Sequence, residues 1–195
     1  MIADCTAVIL AGGDSRRMGQ DKAMLSLHGR TLLQHVTDSV GQVFSQVIVS
    51  VREPRAGLAL PQVCDALPDG GPLAGLAAAL ESIETPWLFA VGCDMPFMSS
   101  GVIEALGSRR AGHQAVVPVV QGHPQPLAAF YARDCLDAIR DIQAGGGKRS
   151  LRALLERLDV CYVDEAQLRE FDPQLRSFFD LDTPADVAVV SNGVS

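Results

Sequence analysis

The sequence predicts an α/β protein in which helices cover both faces of a mixed, mainly parallel sheet. Short apolar runs alternate with amphipathic stretches, and no internal repeat or low-complexity linker interrupts this alternation. The chain has 195 residues, of which 48% are hydrophobic, and this is enough apolar material for the core of one domain. We therefore expect a single domain over residues 1–190 and a frayed tail at 191–195.

The predicted strands are short apolar runs that stand between helical patterns. They cover residues 7–10, 46–51, 87–92, 115–120, 127–131, 160–163 and 178–181. Parallel neighbours need a crossover of a dozen or more residues, but only residues 121–126 separate two of these runs. We therefore expect the strands at 115–120 and 127–131 to be antiparallel, in a sheet that is otherwise mainly parallel.

The predicted helices are indicated by apolar spacing and by residues typical of helix ends. Apolar residues recur at helical spacing over 32–40 and over 73–83, and Pro72 suits the first turn of the second helix. A helix over 134–143 should stop at the glycines 145–147, and another over 150–158 should begin with Ser150 as its N-cap. The last helix should begin at Thr183, with Pro184 in its first turn.

Composition restricts the class of protein. Sixteen Lys and Arg against 23 Asp and Glu give a formal net charge of −7, which argues against a general nucleic-acid or anionic-membrane surface. The N-terminus has no basic segment, and no apolar run approaches the roughly 20 residues that span a bilayer, so we expect a cytoplasmic protein. Five cysteines without a C-x-x-C spacing indicate reduced structural thiols.

The segment 10–22, LAGGDSRRMGQDK, directly follows the first predicted strand. Gly12 and Gly13 allow backbone N–H groups to approach an anion, at the sheet edge where open parallel sheets bind ligands. Three cationic side chains belong to the same segment: Arg16, Arg17 and Lys22. The spacing matches neither the Walker A motif nor G-x-G-x-x-G. We expect a polyphosphate site, and the alternative is a tight turn with solvated basic side chains.

Three aspartates follow predicted strands. Asp94 comes just after the strand at 87–92, where a carboxylate faces the ligand crevice; its alternative role is to cap the chain near Ser99. Mg²⁺ prefers one or two carboxylates together with phosphate oxygens and water, so Asp94 is the candidate metal ligand and Asp182 a second carboxylate. Asp65 is expected at the end of a strand, and its alternative is an exposed loop acid.

Several segments together resemble one enzyme family. Segment 10–22 is similar to the signature of nucleotidyltransferases that activate small molecules with NTPs. The further segments are GPLAG at 71–75, GCDMP at 92–96, QPLAAFY at 125–131, RSLR at 149–152 and DLDTP at 180–184. In this order they resemble specifically the molybdenum cofactor guanylyltransferases, the MobA family.

The resemblance implies a single-domain Rossmann-like fold of the nucleotide-diphospho-sugar transferase type. It implies transfer of GMP from GTP to the terminal phosphate of molybdenum-molybdopterin, with Mg²⁺, or Mn²⁺ in its place, and release of pyrophosphate. The candidate catalytic residues are Arg16, Lys22 and Asp94, and the residues leave open whether Arg16 or Arg17 stabilises the departing pyrophosphate. The candidate nucleotide-binding residues are Leu10, Ala11, Gly12, Gly13, Lys22, Ser50, Asp65, Asp94 and Asp182.

The choice of nucleotide depends on one glycine. Gly12 resembles the guanylyltransferase form, because related cytidylyltransferases tend to carry alanine there, and it favours GTP. Ser50 departs from an asparagine of some family members, and Asp180 and Asp182 replace asparagines, which leaves open whether they meet metal or pterin. The alternatives are a molybdopterin cytidylyltransferase, a sugar-phosphate nucleotidyltransferase, or a nucleotide-binding module without turnover.

The acceptor side is less specific. Segments 125–127 and 147–150 carry polar and basic groups that could meet a phosphorylated pterin, where the resemblance places the molybdopterin. His123 is expected to be a loop residue and not a base, because a phosphate monoester is already ionised near neutral pH. The implied protein partners are a molybdenum-insertion protein and the acceptor molybdoenzymes or their chaperones, with no nucleic acid and no membrane.

Overall fold

The computed structural model describes residues 1–12, 21–65, 70–145, 147–181 and 183–193. Within these ranges the chain forms one large sheet, a small hairpin and helices on both faces of the sheet. The strands are β1 (Cys5–Leu10), β2 (Ser26–Leu27), β3 (Arg30–Thr31), β4 (Val47–Val51), β5 (Gln62–Cys64), β6 (Trp87–Gly92), β7 (Ala115–Val120), β8 (His123–Pro124), β9 (Ala128–Ala132) and β10 (Val160–Asp164).

The described strands of the large sheet lie in the order β10-β7-β9-β6-β1-β4-β5, with β8 paired to the edge of β7. β9 is antiparallel to both of its neighbours, β6 and β7, whereas β1 is parallel to β4 and to β6. This confirms the mixed, mainly parallel sheet and its antiparallel connection. From β1 the chain runs outward through β4 and β5 and then returns to β6 on the other side of β1. Such a reversal leaves a crevice at the carboxyl ends of the strands.

The helices are α1 (Leu32–Gly41), α2 (Gly71–Ser82), α3 (Ser100–Gly107), α4 (Cys135–Ala144), α5 (Leu151–Leu155), α6 (Glu165–Leu168) and α7 (Pro184–Gly193). One core cluster joins one face of the sheet to α1, α3 and α6, and a second joins the other face to α2, α4 and α5. Alternate residues of β1 divide between them: Ile9 belongs to the first cluster and Val8 to the second. The helices therefore cover both faces, as predicted.

The ends of several helices follow the predicted signals. Pro72 stands in the first turn of α2, and α4 ends at Ala144, immediately before Gly145. The Ser150 hydroxyl accepts a hydrogen bond from the N–H of Ala153 at 3.2 Å, which caps α5. At the start of α7 the hydroxyl of Thr183 and the carboxylate of Asp186 bind one another's backbone N–H groups at 3.1 and 2.7 Å.

Two predicted elements were wrong or too long. Residues 178–181 do not form a strand: a 3-10 turn covers Arg176–Phe178, and the chain beyond it is joined to the sheet end by the bond from Leu181 N–H to the Asp94 carbonyl. The apolar run is divided between environments, because Leu181 is buried whereas Phe179 is half exposed. The helix expected over 150–158 ends at Leu155. α7 reaches Gly193, so three residues of the expected tail are helical.

Other elements were not predicted. These are the β2–β3 hairpin, the two-residue strand β8 and the short helices α3 and α6, whereas of the edge strand β5 only the end before Asp65 was expected. β2 and β3 have only two residues each, too few for a periodic pattern. Leu27 of this hairpin is buried against Leu32, Leu181 and Val187, so long-range packing holds the hairpin in place. None of the helices in the described ranges is long and apolar enough to cross a membrane.

Candidate active site

A cavity of about 190 Å³ opens at the carboxyl ends of β1, β4, β5 and β6, beside the point where the strand order reverses. Its wall combines backbone, small residues and charged side chains. The described lining residues are Leu10, Ala11, Gly12, Asp21, Lys22, Ser50, Asp65, Gly71, Pro72, Gly75, Gly92, Cys93, Asp94 and Leu127. Leu127 reaches this edge because β9 runs antiparallel and begins where β6 ends.

The floor of the cavity is formed where α2 packs directly on the strands. A Cβ at Gly75 would lie 2.7 Å from Ser50 Oγ and 2.9 Å from Leu10 Cδ2, closer than side chains normally approach. Ser50 is buried, and its carbonyl accepts the N–H of Ala11 at 2.9 Å. Gly75 therefore allows the first turns of α2 to lie against β1 and β4, and this contact closes the base of the site.

Lys22 enters the site from a 3-10 turn that covers Lys22–Met24. Asp21 begins this turn: its Oδ1 accepts a hydrogen bond from Ala23 N–H at 3.1 Å. The Lys22 and Asp21 side chains are both half-buried and both line the cavity. The turn thus presents one cationic and one anionic group side by side at the cavity wall.

Two arginines from the loop after β4 hold the end of β1. Arg52 Nε donates to the Gly12 carbonyl at 2.8 Å, and Arg55 Nη2 donates to the Ala11 carbonyl at 2.9 Å. Arg55 Nη1 also forms an ion pair with Asp21 Oδ2 at 2.7 Å. Arg52, Arg55 and the role of Asp21 were not predicted from the sequence. The available signal was the position of two cations just after a strand that ends at the same sheet edge.

Asp94 stands where β6 leaves the sheet. Its side chain is half-buried at the cavity wall, and its carbonyl accepts the N–H of Leu181 at 2.8 Å. The alternative role near Ser99 is not supported at that residue, because Ser99 N–H donates to Ser177 Oγ at 3.0 Å. Asp94 is therefore a cavity carboxylate, as its position after a strand predicted.

Asp65 follows β5 directly and faces the β1 end across the loop. A Cβ at Gly12 would lie 3.8 Å from Asp65 Oδ2 and 3.6 Å from Arg52 Cγ, which are ordinary contact distances. Partial burial raises the pKa of the Asp65 carboxyl, and the nearby Arg52 guanidinium lowers it in opposition. Asp65 is half-buried, so the alternative of an exposed loop acid is not supported.

Cys93 is buried near the charged side chains of the cavity, and these charges influence the pKa of its thiol. Burial above all, and then the carboxylates of Asp94 and Asp21, raise the pKa of its thiol to about 12, while the charges of Arg55 and Lys22 act in the opposite direction. The thiol is therefore neutral near pH 7 and packs in the core as an apolar residue. Acidic and basic side chains therefore lie close together around Cys93 at this edge of the sheet.

The oxygen ligands at the cavity fit a Mg²⁺ ion that is coordinated mainly by phosphate oxygens. In the part of the chain that the structure describes, no group of three or more His, Cys, Asp or Glu residues could hold a metal alone. Both carboxylate oxygens of Asp21 are engaged, one by Ala23 N–H and one by Arg55. Asp94 also lines the cavity, at the end of β6, and Mg²⁺ commonly takes one or two carboxylates with phosphate and water.

The cavity brings together many of the predicted nucleotide-binding residues: Leu10, Ala11, Gly12, Lys22, Ser50, Asp65 and Asp94. The predictions for Gly13, Arg16, Arg17 and Asp182 fall outside the described residues. Of the expected acceptor segments, Leu127 reaches the cavity, whereas Arg149 is exposed and donates to the Gln143 carbonyl at 2.9 Å. His123 lies exposed in β8, away from the described cavity lining.

The strand order and the cavity beside β1 define an α/β protein that binds its ligand at the carboxyl ends of the parallel strands. The fold is that of 2-C-methyl-D-erythritol 4-phosphate cytidylyltransferase from Thermus thermophilus, with a TM-score of 0.67 at 19% identity over 96% of this chain and 97% of that one. The sequence profile of the MobA-like NTP transferase domain matches residues 7–161, and the chain belongs to this family.

Relatives of similar length carry specific names. A probable molybdenum cofactor guanylyltransferase from Pelotomaculum thermopropionicum is 36% identical over 184 residues, which cover 93% of this chain and 89% of the relative. A molybdenum cofactor guanylyltransferase from Syntrophotalea carbinolica is 36% identical and covers 93% and 88%. The crystal structure of molybdopterin-guanine dinucleotide biosynthesis protein A from Archaeoglobus fulgidus superposes with a TM-score of 0.82 at 30% identity, covering 96% and 97%.

Proposed function

We propose that this chain is a molybdenum cofactor guanylyltransferase. It transfers GMP from GTP to the terminal phosphate of molybdenum-molybdopterin, which gives the guanine dinucleotide form of the cofactor and pyrophosphate. The observation that carries the proposal is the placement of Gly12, Lys22 and Asp94 around one cavity in a MobA-like NTP transferase chain. The names of the relatives support the choice of acceptor and of guanine nucleotide.

The charged side chains have separate proposed roles in binding the triphosphate. The Lys22 ammonium neutralises phosphate charge, while the end of β1 brings backbone N–H groups close to it. Asp94 would hold the Mg²⁺ ion that accompanies GTP, or Mn²⁺ in its place, with Asp182 as the proposed second carboxylate. When bound, the metal neutralises charge on the phosphates during displacement. Arg16 is the proposed partner of the departing pyrophosphate, with Arg17 as the alternative.

The reaction needs positioning more than a base. A terminal oxygen of the acceptor phosphate attacks the α-phosphorus of GTP, and the bond from that phosphorus to the bridging oxygen breaks as pyrophosphate leaves with its electron pair. The attacking phosphate is already ionised near neutral pH, so no side chain must remove its proton. The cavity therefore contributes orientation and fixed charge, which are the main sources of rate in such transfers.

The guanine moiety is assigned to the wall formed by Gly12, Ser50 and Asp65. Gly12 carries no side chain, and Ser50 and Asp65 line the same cavity. Polar groups that match a guanine edge are left without partners when another base enters, which costs about 1–3 kcal/mol per group. This wall is the proposed source of a preference for GTP.

The other partners follow from the product. A protein that inserts molybdenum supplies the acceptor, and molybdoenzymes or their chaperones receive the dinucleotide. The reaction takes place in the cytoplasm in this proposal, without nucleic acid or a membrane surface. The net charge of −7 is consistent with partners that are not polyanions.

The test compares GTP, CTP, ATP and UTP in a pyrophosphate-release assay with Mg²⁺ and molybdenum-loaded molybdopterin. We expect pyrophosphate release that requires metal and acceptor and that is at least about tenfold faster with GTP. Faster release with CTP would identify a cytidylyltransferase instead. Nucleotide binding without release in the presence of acceptor would identify a binding module.

A further inference from the structure

We propose that Arg55 is a positioning residue of the nucleotide site: its guanidinium fixes the turn that carries Lys22 against the end of β1. Nη2 donates to the Ala11 carbonyl at 2.9 Å, and Nη1 pairs with Asp21 Oδ2 at 2.7 Å. Ala11 and Asp21 lie on either side of the glycine-containing segment. One side chain thus sets the spacing between two parts of the cavity wall.

Asp21 connects the Arg55 guanidinium to the turn that carries Lys22. While Oδ2 pairs with Arg55, Oδ1 accepts from Ala23 N–H at 3.1 Å, and the Asp21 carbonyl accepts from Met24 N–H at 3.0 Å. The backbone that follows Lys22 is therefore hydrogen-bonded to the residue that precedes it, and that residue is itself paired with the guanidinium. A change at Arg55 reaches the Lys22 ammonium through this short chain of contacts.

Arg55 is itself held in place from β5. The Gln62 side chain accepts the Arg55 N–H through Oε1 and donates through Nε2 to the Arg55 carbonyl, both at 2.8 Å. The Arg55 side chain is only 25% exposed and that of Asp21 34%. A planar guanidinium on a clamped backbone can hold a hydrogen bond with Ala11 and an ion pair with Asp21 at a fixed spacing, which a lysine ammonium on a flexible stem cannot.

The lining of the cavity distinguishes the positioning role of Arg55 from direct contact with the nucleotide. Ala11, Asp21 and Lys22 belong to the described cavity wall, whereas Arg55 is not among its lining residues. Arg55 thus acts on the nucleotide through the residues that it holds. The proposal rests on the proposed function in one respect, which is that Lys22 binds GTP.

The first experiment measures the GTP dissociation constant by calorimetry for the full chain and for Arg55→Lys and Arg55→Met. We expect both substitutions to weaken binding by about tenfold or more, because each removes the guanidinium that contacts both Ala11 and Asp21. Arg55→Lys keeps the positive charge, so wild-type affinity in this variant would overturn the proposal. Arg140→Met is the matched control: it removes an exposed ion pair between Arg140 of α4 and Glu81 of α2 and should leave the affinity unchanged.

The direction in which a second substitution changes the affinity for GTP distinguishes a positioning role from a purely electrostatic one. Asp21→Asn keeps an oxygen to accept the Ala23 N–H but removes the ion pair with Arg55. Removal of a negative charge near a triphosphate should by itself tighten binding. If Asp21 and Arg55 position Lys22, the same substitution weakens binding, by about threefold or more. Tighter binding would refute the positioning role.

A double-mutant cycle tests whether Arg55 acts through Lys22. Arg55→Met should weaken GTP binding much less in a Lys22→Ala background than in the wild type, because residues in one network are not additive. An equal loss in both backgrounds would contradict the proposal. If Arg55→Met does not fold, Gln62→Leu replaces it: loss of the backbone clamp should weaken binding in the same direction, and unchanged affinity would count against the role.

A measurement without nucleotide keeps this proposal separate from the proposed function. Amide hydrogen exchange at Ala23 and Met24 should be faster in Arg55→Met than in Arg140→Met, by about tenfold, because the turn loses its anchor. Equal exchange rates would overturn the positioning role. Faster exchange in a protein whose wild type binds no GTP would support the positioning role and refute only the proposed function.

Discussion

Gly92 lies directly beneath the carboxylate of Asp94, so position 92 has no room for a β-carbon. A Cβ there would overlap Asp94 Oδ1 and lie 3.5 Å from Met95 Cγ. The N–H of Met95 donates to the Gly92 carbonyl at 3.3 Å, which closes a tight turn at the end of β6. This turn folds the Asp94 side chain back over the strand end, and its position therefore depends on the glycine.

The first prediction concerns Gly92→Ala. The added methyl group must displace the Asp94 carboxylate, which is the end of a side chain and can move without unfolding the strand. We expect turnover to fall by about tenfold or more while the unfolding midpoint changes little, because small displacements of catalytic groups have large effects on rate. Steady-state kinetics and thermal unfolding measure the two quantities. Turnover equal to that of the wild type would show that Asp94 does not depend on the glycine.

The second prediction is that Asp94→Asn abolishes metal-dependent turnover with the fold intact. Loss of the carboxylate charge removes a metal ligand, and the rate should fall by on the order of 10³-fold or more. Pyrophosphate release is measured against Mg²⁺ concentration, with circular dichroism as the control for folding. A folded variant with near wild-type turnover would remove Asp94 from the reaction.

The third prediction is that Lys22→Ala weakens GTP binding and also lowers kcat. A charge-assisted contact of this kind contributes about 1.5–3 kcal/mol, and the phosphate charge that it neutralises grows during the reaction. Calorimetry gives the affinity and initial rates give kcat. If neither quantity moved, Lys22 would be a solvated surface residue.

The fourth prediction is that Gly12→Ala reduces the preference for GTP over CTP and ATP. Position 12 lies outside the left-handed region, and a Cβ there meets its nearest atoms at ordinary contact distances, so the free protein should tolerate it. The methyl group instead occupies space beside the nucleotide wall. We expect the ratio of kcat/KM values for GTP and CTP to fall by about threefold or more. An unchanged ratio would place the base elsewhere.

The fifth prediction compares two glycines of helices. Gly75→Ala should lower the free energy of unfolding by about 1–3 kcal/mol, because the new methyl group collides with Ser50 and Leu10. Gly41→Ala, where a Cβ would meet nothing within 4 Å, should instead raise it by roughly 0.5–1 kcal/mol. Urea unfolding measures both. Equal stability of the two variants would contradict the close packing of α2 on β4.

Local patterns in the sequence were sufficient for the elements that have their own periodicity or caps. The runs that became β1, β6 and β7 are continuous and apolar, and Ser150 and Thr183 cap helices through residues only three positions away. The strand ends of β1 and β6 also placed Gly12 and Asp94 at one edge, because parallel strands share the direction of their carboxyl ends.

The tertiary structure decided what depends on contacts between distant segments. The 178–181 run is apolar like a strand, but its residues are divided between a 3-10 turn, solvent and the Leu27 cluster. Arg55 reaches Ala11 only because β4 pairs with β1, and nothing in the local sequence of either residue records that pairing. Amino-acid periodicity thus determined which segments become strands and helices. The order of the strands determined which charged side chains meet, because that order is set by packing of the whole chain and not by any one segment.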